Sequence, residues 1–446
     1  MASVPVGTSG IRGKYPQEVS IATAILLARA LLTAWAGAKI GLGHDTRKSS
    51  PLLHGALCGA LVAGGCTVED YGLAPTPAIS YQVRCNVLTG GVVVTASHNP
   101  PEYNGLKVLR SDGSGLTKEE LITLLSSISP TTRQTGNYER VKPQDYLELL
   151  QNLGASSADI AFDFMKGAVA ALLPPLLPSS AIRLNETPSS EFPHGRPEPS
   201  PEALQDLAAI VRNRRCIGVG FDGDGDRAVF VDEKGRVPDQ DRVLALYAAY
   251  LAEQTGKPIV TSFDASIVIE QAVEQAGGKV FRASVGDPYI SIRVKETNAV
   301  LGGEPCGAWI HPEYHLGPDG PVTALKVLSW LQERRVVLAD ALDALPSTTL
   351  LRGKLKCDSA LKQTAISEIA NQLIGSFGEE IASTEDGVWL RGQDWWLLVR
   401  PSGTEPILRI SVEALHPERA KALYDKVFCT VQAVVRSFAS RSLSSG

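Results

Sequence analysis

A serine in a short polar loop is the first candidate for chemistry in this chain. The loop reads Thr-Ala-Ser-His-Asn-Pro over residues 95–100, with Ser97 at its centre. A bare serine hydroxyl is a weak nucleophile, whereas a phosphorylated serine carries about −1.5 to −2 charges at pH 7. His98 is a candidate catalytic residue, but adjacent side chains usually diverge, so a Ser-His hydrolase pair is not predicted. Taken alone, such a serine is more often part of a solvated turn.

The second candidate is a set of three aspartates. Asp222, Asp224 and Asp226 alternate with glycines in Asp-Gly-Asp-Gly-Asp-Arg. Glycine lets the backbone bend tightly, so the three carboxylates can converge on one point and offer the hard oxygen ligands that Mg²⁺ or Ca²⁺ prefers. An EF-hand loop would need glycine where Arg227 stands, and helices rather than β-like segments on both sides. The remaining alternative to a metal site is an acidic turn between strands.

A third motif lies near the carboxyl terminus, where Arg-Pro-Ser-Gly-Thr-Glu-Pro spans residues 400–406. Guanidinium groups, hydroxyls and a glycine that exposes backbone amides are typical of an anion-binding loop, although a plain Pro/Gly turn also fits. With the serine and aspartate loops, this motif predicts a site that holds two phosphates. Such a site would move a phosphoryl group around one small molecule. The candidate phosphate ligands are Arg400, Ser402, Gly403, Thr404 and Arg409.

Three further segments each present one residue that suits a sugar phosphate. Glu304 lies in the glycine-rich segment 302–307, where a carboxylate can accept hydrogen bonds from two vicinal sugar hydroxyls, although an ordinary turn fits equally well. Arg12 lies in a second glycine-rich loop, residues 7–13. Lys107 follows Ser97 closely and could act as an acid, a base or a charge clamp.

Composition limits the classes of protein to consider. The length of 446 residues predicts about three domains, and 44% hydrophobic with 20% charged residues is typical of a globular enzyme. A net charge of −5 leaves no basic excess for nucleic acid or an anionic membrane. Residues 21–35 are apolar, but Arg29 interrupts them, so we predict a buried helix rather than a membrane span. Seven scattered cysteines without a Cys-x-x-Cys pair indicate free thiols and a cytoplasmic protein.

Short apolar strands alternate with helical patterns, which predicts mainly parallel sheets flanked by helices. Ligands gather outside the carboxyl ends of such strands, and Ser97 follows the strand predicted at 91–94. The Pro- and Ser-rich residues 172–202 are predicted to form a long surface loop. The other predicted strands are 38–43, 68–71, 215–221, 228–232, 258–261, 279–283 and segments near 387–399 and 407–413; the predicted helices are 52–64, 76–84, 241–254, 264–276, 360–374 and 417–438.

The motifs and their order resemble those of the α-D-phosphohexomutases, over essentially the whole chain. The resemblance implies a four-domain, heart-shaped α/β enzyme with a central cleft, in which three similar α/β domains precede a smaller α+β domain. The implied divisions are 1–140 with the phosphoserine loop, 141–240 with the metal-binding loop, 241–349 with the sugar-binding loop and 350–446 with the phosphate-binding loop.

The same resemblance implies a mechanism. Ser97 would carry a phosphoryl group, and one Mg²⁺ would be held by this phosphate and by Asp222, Asp224 and Asp226. Ser97 would donate the group to a hexose phosphate, and the resulting hexose bisphosphate, which also serves as activator, would turn around in the cleft and return its other phosphate. The implied catalytic residues are Ser97, Arg12, Lys107 and His98; the implied substrate-binding residues are Arg227, Asp287, Glu304, Cys306, Arg400, Ser402, Gly403, Thr404 and Arg409.

This chain departs from the family pattern in the sugar loop. Many relatives have Glu-x-Ser-Gly-His there, whereas this sequence has Cys306 and Ala308 in place of the serine and the histidine. A thiol is a weaker hydrogen-bond partner than a hydroxyl. His311 or His315 is the expected substitute for the missing imidazole.

The loop variants also bear on the substrate. Ser-Gly-Thr-Glu-Pro at 402–406 resembles phosphoglucosamine mutases, and the 302–307 loop resembles archaeal members, so we expect conversion of glucosamine 6-phosphate to glucosamine 1-phosphate. A phosphomannomutase or phosphoglucomutase is the alternative. A phosphatase and a non-catalytic sugar-phosphate binder are further alternatives, and the intact Ser97 and aspartates argue against the binder. A monomer or homodimer is expected, with a small hexose phosphate and no nucleic acid or membrane as partner.

Overall fold

The computed structural model describes residues 4–128, 135–154, 159–358, 360–377, 381–402 and 406–444. Within these ranges, four sheets follow one another along the chain, with seven, four, four and five strands. Helices pack against each sheet, which confirms the predicted α/β class. No helix of the described ranges has both the length and the apolar character that crossing a bilayer requires.

The first sheet has the strand order β1-β2-β6-β5-β3-β4-β7. Strands β3, β4, β5 and β7 pair in parallel, but β6 runs antiparallel to β5, and β2 and β1 continue antiparallel. The expectation of a mainly parallel sheet is therefore wrong for this half, because the connection at 95–102 is shorter than the dozen or so residues that a parallel crossover needs. The elements are β1 Val6–Gly7, β2 Gly10–Lys14, α1 Ile21–Ala34, β3 Lys39–His44, α2 Ser50–Ala63, β4 Thr67–Leu73, α3 Thr76–Cys85, β5 Gly90–Val94, β6 Tyr103–Arg110, α4 Lys118–Ser126 and β7 Tyr138–Arg140.

Helix α1 is only half-buried, which corrects the prediction of a buried helix. Leu27 and Leu31 are fully buried against the sheet, whereas Ile21 and Ile25 are 43% and 42% exposed. The helix covers one face of the sheet, so its outer face meets solvent in spite of its apolar sequence.

The second sheet has the order β11-β10-β8-β9 and carries the aspartate loop between β10 and β11. The predicted surface loop at 172–202 is wrong in part, because it contains an edge strand and buries Leu173, Leu177 and Phe192. The high Pro and Ser content conceals these few apolar residues: Leu173 and Leu177 join the core beneath the sheet, and the Phe192 ring lies 5.5 Å from the Arg47 guanidinium. The elements are α5 Gln144–Leu153, β8 Ile160–Asp163, β9 Ile182–Leu184, α6 Gln205–Arg214, β10 Ile217–Phe221 and β11 Ala228–Val231.

The third sheet has the order β13-β12-β14-β15, and the sugar loop is the turn between its antiparallel strands β14 and β15. Its core is continuous with that of the second sheet, since Phe230 of one stacks near Trp309 of the other, with ring centroids 5.9 Å apart. The elements are α7 Gln240–Thr255, β12 Ile259–Ser262, α8 Val268–Gln275, β13 Val280–Ala283, α9 Asp287–Thr297, β14 Leu301–Gly303, β15 Trp309–Ile310, α10 Gly320–Glu333 and α11 Leu338–Ala344.

The fourth sheet and its helices are termed the C-terminal domain. All of its pairings are antiparallel, in the order β16-β20-β19-β18-β17, and it has a hydrophobic core of its own. The motif at 400–406 lies in the connection from β19 to β20. The elements are β16 Thr349–Lys356, α12 Lys362–Phe377, β17 Ile381–Ser383, β18 Val388–Arg391, β19 Trp395–Pro401, β20 Ile407–Ala414 and α13 Pro417–Ser444.

Candidate active site

The Ser97 loop begins where β5 ends. Ser97 is fully buried and has a φ of 50°, a left-handed conformation that few residues other than glycine adopt. Its N–H donates to Thr95 Oγ1 over 2.8 Å, and its hydroxyl donates to Asp222 Oδ2 over 2.6 Å. The loop therefore fixes the hydroxyl against the aspartate loop of the second sheet.

Arg47 holds this loop in place, and the sequence analysis missed it. Its guanidinium is fully buried, and its Nε donates to Asp45 Oδ2 over 3.0 Å. The other nitrogens donate to four backbone carbonyls of the serine loop and its exit, those of Ser97, Asn99, Pro100 and Tyr103, at 2.6–3.1 Å. The available signal is position: Asp45 and Arg47 come directly after β3, which pairs with β5.

The aspartate loop brings its three carboxylates together, as its spacing predicts. Oxygens of Asp222, Asp224 and Asp226 all lie within 4.8 Å of one another, and all three side chains are buried. Gly225 has a φ of 77°, a conformation that favours glycine, and its N–H donates to Asp222 Oδ1 over 3.0 Å. Thr76 at the start of α3 donates to Asp224 Oδ2 over 2.6 Å, so the first sheet also positions the cluster.

Two oxygens of this cluster, Asp224 Oδ1 and Asp226 Oδ1, have no hydrogen-bond donor among the described residues, although Arg227 Nε lies 3.9 Å from Asp226 Oδ1. A buried carboxylate oxygen without a partner is unfavourable, and a divalent cation with hard oxygen ligands removes the penalty. The donor set therefore fits a metal such as Mg²⁺.

The pKa shifts of the triad reflect its crowding. Burial, with the charges of its two neighbours, raises the pKa of Asp222, and burial with the charge of Asp226 raises the pKa of Asp224 to about 6. Burial alone would also raise the pKa of Asp226, but the charges of Lys107 and Arg227 lower it. Three carboxylates in one buried space repel one another, which is the electrostatic setting that attracts a cation.

Lys107 on β6 lies between two carboxylates. Its Nζ is 3.2 Å from Asp226 Oδ2 and 3.2 Å from Asp287 Oδ2. Burial would lower the pKa of Lys107, but the charges of Asp287 and Asp226 outweigh this effect and raise it. Lys107 is therefore an ammonium ion, suited to clamp charge or to donate a proton rather than to accept one.

His98 is neutral in this setting. Burial lowers the pKa of its imidazole to about 2, and the positive charges of Arg227 and Arg12 add to the shift. Its Nδ1 lies 3.3 Å from Ser97 Oγ, in spite of the expectation that adjacent side chains diverge. The left-handed conformation of Ser97 is the physical reason, because it turns the two side chains toward one another.

A cavity of about 260 Å³ opens in front of these groups and has the size of a small phosphosugar site. Glu304 accepts from Gly286 N–H over 2.8 Å, and burial with the charges of Asp287 and Asp264 raises its pKa to about 8. One of its oxygens thus already accepts a hydrogen bond, and the raised pKa favours the protonated carboxyl group. The predicted site residues that line the cavity are Arg12, His98, Asp226, Arg227, Asp287, Glu304 and Cys306.

The substitutions in the sugar loop leave this wall less polar. Cys306 is a neutral thiol, because burial raises its pKa to about 12, and Ala308 adds only a methyl group. The expected histidine substitutes do not reach the cavity, which corrects that expectation. His311 lies 3.0 Å from Thr323 Oγ1 and His315 lies 3.0 Å from Asp319 Oδ2, both buried where α10 packs.

The predicted phosphate ligands are in a second, adjoining cavity of about 430 Å³ in the C-terminal domain. Arg400 and Arg409 line it, and Arg400 approaches Asp386 at 3.6 Å. Ser402 is buried, and its carbonyl accepts from Lys362 Nζ over 2.8 Å. Gly403 and Thr404 lie outside the described residues. The two cavities share one wall residue, Asp264, which the sequence analysis missed. Ser97, Lys107, Asp222 and Asp224 line neither cavity and lie buried behind Asp226, and Ser402 is buried outside the lining of the second cavity.

Four family models match the chain in the order of its sheets. Each is described as a part of phosphoglucomutase/phosphomannomutase: alpha/beta/alpha domain I matches residues 4–134, domain II matches 144–235, domain III matches 239–349, and the C-terminal domain matches 355–428.

Individual proteins resemble the chain over most of its length. It is 36% identical to a probable phosphoglucosamine mutase of Methanopyrus kandleri, covering 96% of this chain and 98% of the relative, and 34% identical to a phosphoglucosamine mutase of Methanococcus vannielii, covering 84% and 88%. Among solved structures, a phosphoglucomutase/phosphomannomutase family protein of Burkholderia thailandensis superposes with a TM-score of 0.86 at 26% identity, covering 97% and 98%. At 16% identity, the fold also matches Aspergillus fumigatus N-acetylphosphoglucosamine mutase, solved with GlcNAc-6P and magnesium, with a TM-score of 0.57 and 96% of each chain covered.

Proposed function

Since the chain belongs to the phosphoglucomutase/phosphomannomutase family, we propose that this phosphosugar mutase converts glucosamine 6-phosphate to glucosamine 1-phosphate. It acts through a phosphorylated Ser97, a bound Mg²⁺ and a hexose bisphosphate. The observation that carries the proposal is the 2.6 Å hydrogen bond from Ser97 Oγ to Asp222, beside buried carboxylate oxygens that have no hydrogen-bond donor among the described residues. A hydrolase would need an activated water, whereas this site surrounds the serine with protein groups.

The residues that hold Mg²⁺ in this proposal are Asp222, Asp224, Asp226 and the phosphate on Ser97. When bound, the ion polarises the phosphoryl group and offsets its negative charge. Thr76 and the N–H of Gly225 keep the carboxylates oriented, and Arg47 keeps the serine loop against them. This preorganisation matters because phosphoryl transfer depends mostly on positioning and electrostatic stabilisation.

Proton movement is assigned to His98 and charge stabilisation to Lys107 and Arg12. As the sugar hydroxyl takes the phosphoryl group from Ser97, the bond from phosphorus to Ser97 Oγ breaks, and the proton of the sugar hydroxyl passes through His98, whose Nδ1 lies 3.3 Å from Ser97 Oγ, to that oxygen. Burial lowers the pKa of His98, so the imidazole relays this proton rather than keeping it. Ser97 then carries a hydroxyl group, which returns the proton by the same route when it takes the other phosphate back. Lys107, held as an ammonium ion, and Arg12, on the cavity wall, stabilise the negative charge of the transferring group.

The sugar must bind in two orientations, so the protein should make few contacts that depend on one orientation. Glu304 suits this need, because a protonated carboxyl group can donate to one sugar oxygen and accept from another. Arg227, Asp287 and Cys306 contribute to the same cavity. Arg400 and Arg409, with the 402–404 segment, hold the phosphate that is not being transferred.

The choice of an amino sugar rests on the phosphoglucosamine mutases at 36% and 34% identity and on the Ser-Gly-Thr-Glu-Pro loop. We also propose a cytoplasmic enzyme, in keeping with seven free cysteines, and domain divisions at residues 140, 240 and 349. Whether it is a monomer or a homodimer stays a prediction.

The test follows glucosamine 6-phosphate, mannose 1-phosphate and glucose 1-phosphate in parallel by phosphorus NMR, with Mg²⁺ and trace glucose 1,6-bisphosphate. We expect a higher kcat/KM for the amino sugar. Ser97→Ala should lower turnover on the order of 10⁴-fold or more, because it removes the group that carries the phosphate.

The matched control is Ser376→Ala, on the exposed side of α12, which should turn over normally. Near-normal turnover in Ser97→Ala would refute the mechanism. A preference for mannose or glucose phosphate would refute only the substrate, and release of inorganic phosphate in place of an isomer would identify a phosphatase.

A further inference from the structure

The cavity of the C-terminal domain contains more positive charge than its phosphate-binding loop supplies. Besides Arg400 and Arg409, it is lined by Arg352 and Lys354 of β16, a strand remote in sequence from that loop. Both β16 side chains are exposed, and neither has an ion pair or side-chain hydrogen bond recorded among the described residues. The pair is thus available to a ligand.

The register of the sheet places these cations in rows. Lys354 pairs with Arg409 across β16 and β20, and Arg409 pairs with Arg400 across β20 and β19. Directly opposed residues share one face of a sheet, and like charges in such positions destabilise it. The row therefore concentrates positive charge on one face of the sheet, and Lys354 extends it beyond the 400–409 segment.

The orientation of β16 is fixed by its own packing. Gly353 lies between the two cations and faces the opposite side, where the Tyr424 hydroxyl of α13 approaches so closely that a Cβ atom would clash. Alternate residues of a strand point to opposite faces. Because Gly353 packs against Tyr424 on the opposite face, Arg352 and Lys354 lie on the face that lines the cavity.

The spacing of the cations suits a ligand with two phosphates. Neighbouring strands lie about 4.8 Å apart, so the row from Lys354 to Arg400 spans about 10 Å, comparable to a hexose with a phosphate at each end. The cavity adjoins the sugar cavity through Asp264. One phosphate group carries about two negative charges at neutral pH, so a second phosphate calls for cations beyond those of the 400–409 segment.

We propose that Arg352 and Lys354 form a holding site for the second phosphate of the hexose bisphosphate intermediate, which retains the intermediate while it turns around. The inference rests on the proposed function for the existence of a bisphosphate. It adds residues from β16 that discriminate a bisphosphate from a monophosphate: a monophosphate on the 400–409 segment leaves the β16 pair without an anion, whereas a bisphosphate engages both pairs.

The experiment measures binding of glucose 1,6-bisphosphate and of glucose 6-phosphate by calorimetry at low salt. It uses the full chain with Ser97→Ala, so that no transfer occurs, and compares it with the same chain carrying Arg352→Ala and Lys354→Ala. We expect Kd for the bisphosphate to rise about tenfold and Kd for the monophosphate to rise less than about threefold. The difference should shrink as salt is added, because exposed charges are screened.

The matched control is Lys356→Ala, an exposed cation further along the same face of β16 that does not line the cavity. It should leave both Kd values unchanged. Equal losses for the two ligands, equal losses in the control, or no loss in the double variant would overturn the inference. Turnover of the unsubstituted chain is measured in parallel. If it interconverts hexose phosphates while the double variant binds bisphosphate normally, the holding site alone is refuted; if it interconverts none, the proposed function fails first.

Discussion

The Ser97 site and the basic face of the C-terminal domain both present charged groups to a phosphosugar, but they hold these groups in opposite ways. Ser97, Asp222 and Asp224 are fully buried. Ser97 donates a hydrogen bond to Asp222, and Asp224 accepts one from Thr76 at the start of α3. Arg352 and Lys354 are exposed, and no side-chain partner is recorded for either among the described residues.

The difference matches two physical demands of a mutase. Phosphoryl transfer needs charges fixed before the reaction, since reorienting them during the reaction would raise the barrier. A sugar that turns around needs contacts that can follow it, and long side chains on a sheet surface provide them. On the proposals above, the fixed site would select the reaction and the adaptable face would retain the intermediate.

The largest effect should come from changing the fixed site. Asp224→Asn removes the negative charge of one carboxylate in the proposed Mg²⁺ site. It should lower the turnover number about 100-fold and raise the Mg²⁺ concentration needed for activity. In metal-free protein above about pH 6, the same change should raise the midpoint of thermal unfolding, because it removes a buried carboxylate whose pKa burial and the charge of Asp226 raise to about 6. Steady-state kinetics across a magnesium series and scanning calorimetry measure the two effects.

Asp206→Asn, on the exposed side of α6, is the control for that substitution. If Asp224 is a metal ligand, its substitution should lower turnover but raise the unfolding midpoint of the metal-free protein. If Asp224 is only structural, the substitution should lower both. A parallel loss of both would contradict the assignment of Asp224 as a metal ligand.

A smaller effect should follow from loosening the serine loop. Arg47→Lys keeps the charge but loses the planar set of donors that reaches four carbonyls, so we expect about a tenfold lower turnover number with an unchanged KM. Arg214→Lys on α6 is the matched exposed control. If Arg47→Lys acted on KM alone, preorganisation of Ser97 would not be its role.

The smallest effect concerns the junction between the third sheet and the C-terminal domain. Asp241 is buried there with Oδ1 unpartnered, and burial, with the charges of Glu413 and Asp264, raises its pKa to about 8 in spite of Arg282. An unfolded aspartate has a pKa of about 3.9, so the folded state binds the extra proton and loses stability as pH rises from about 4 to about 8.

Asp241→Asn removes this dependence. Its unfolding midpoint should exceed that of the unsubstituted chain by a few degrees at pH 9, and the gap should narrow toward pH 5. Asp239→Asn, its exposed neighbour, should show no such trend. A gap that stays constant with pH would show that ionisation of Asp241 is not its cause.

Local motifs made much of the fold and the chemistry predictable. Glycine alternates with aspartate at 222–226 and lets the backbone bend tightly, and the carboxylates converge as predicted. The strand before Ser97 and the helices α2 and α3 follow from periodicity and from prolines at their starts.

Features that depend on residues distant in sequence were not predictable. Arg47 contacts carbonyls about fifty positions away, and only the pairing of β3 with β5 brings them together. The antiparallel pairing of β6 with β5 follows from the short connection at 95–102, whereas the alternation of strands and helices elsewhere favours parallel pairing. The raised pKa of Glu304 depends on its burial and on the charges of Asp287 and Asp264, two residues that lie far from it in sequence.

The phosphoryl group on Ser97 is the central claim and can be measured directly. The chain is incubated with Mg²⁺ and glucose 1,6-bisphosphate, and intact mass spectrometry with peptide mapping locates any phosphate. The account predicts one phosphate, on Ser97, which glucosamine 6-phosphate then removes as a bisphosphate appears. Interconversion of the sugar phosphates with Ser97 unmodified throughout, or with the phosphate on another residue, would contradict it.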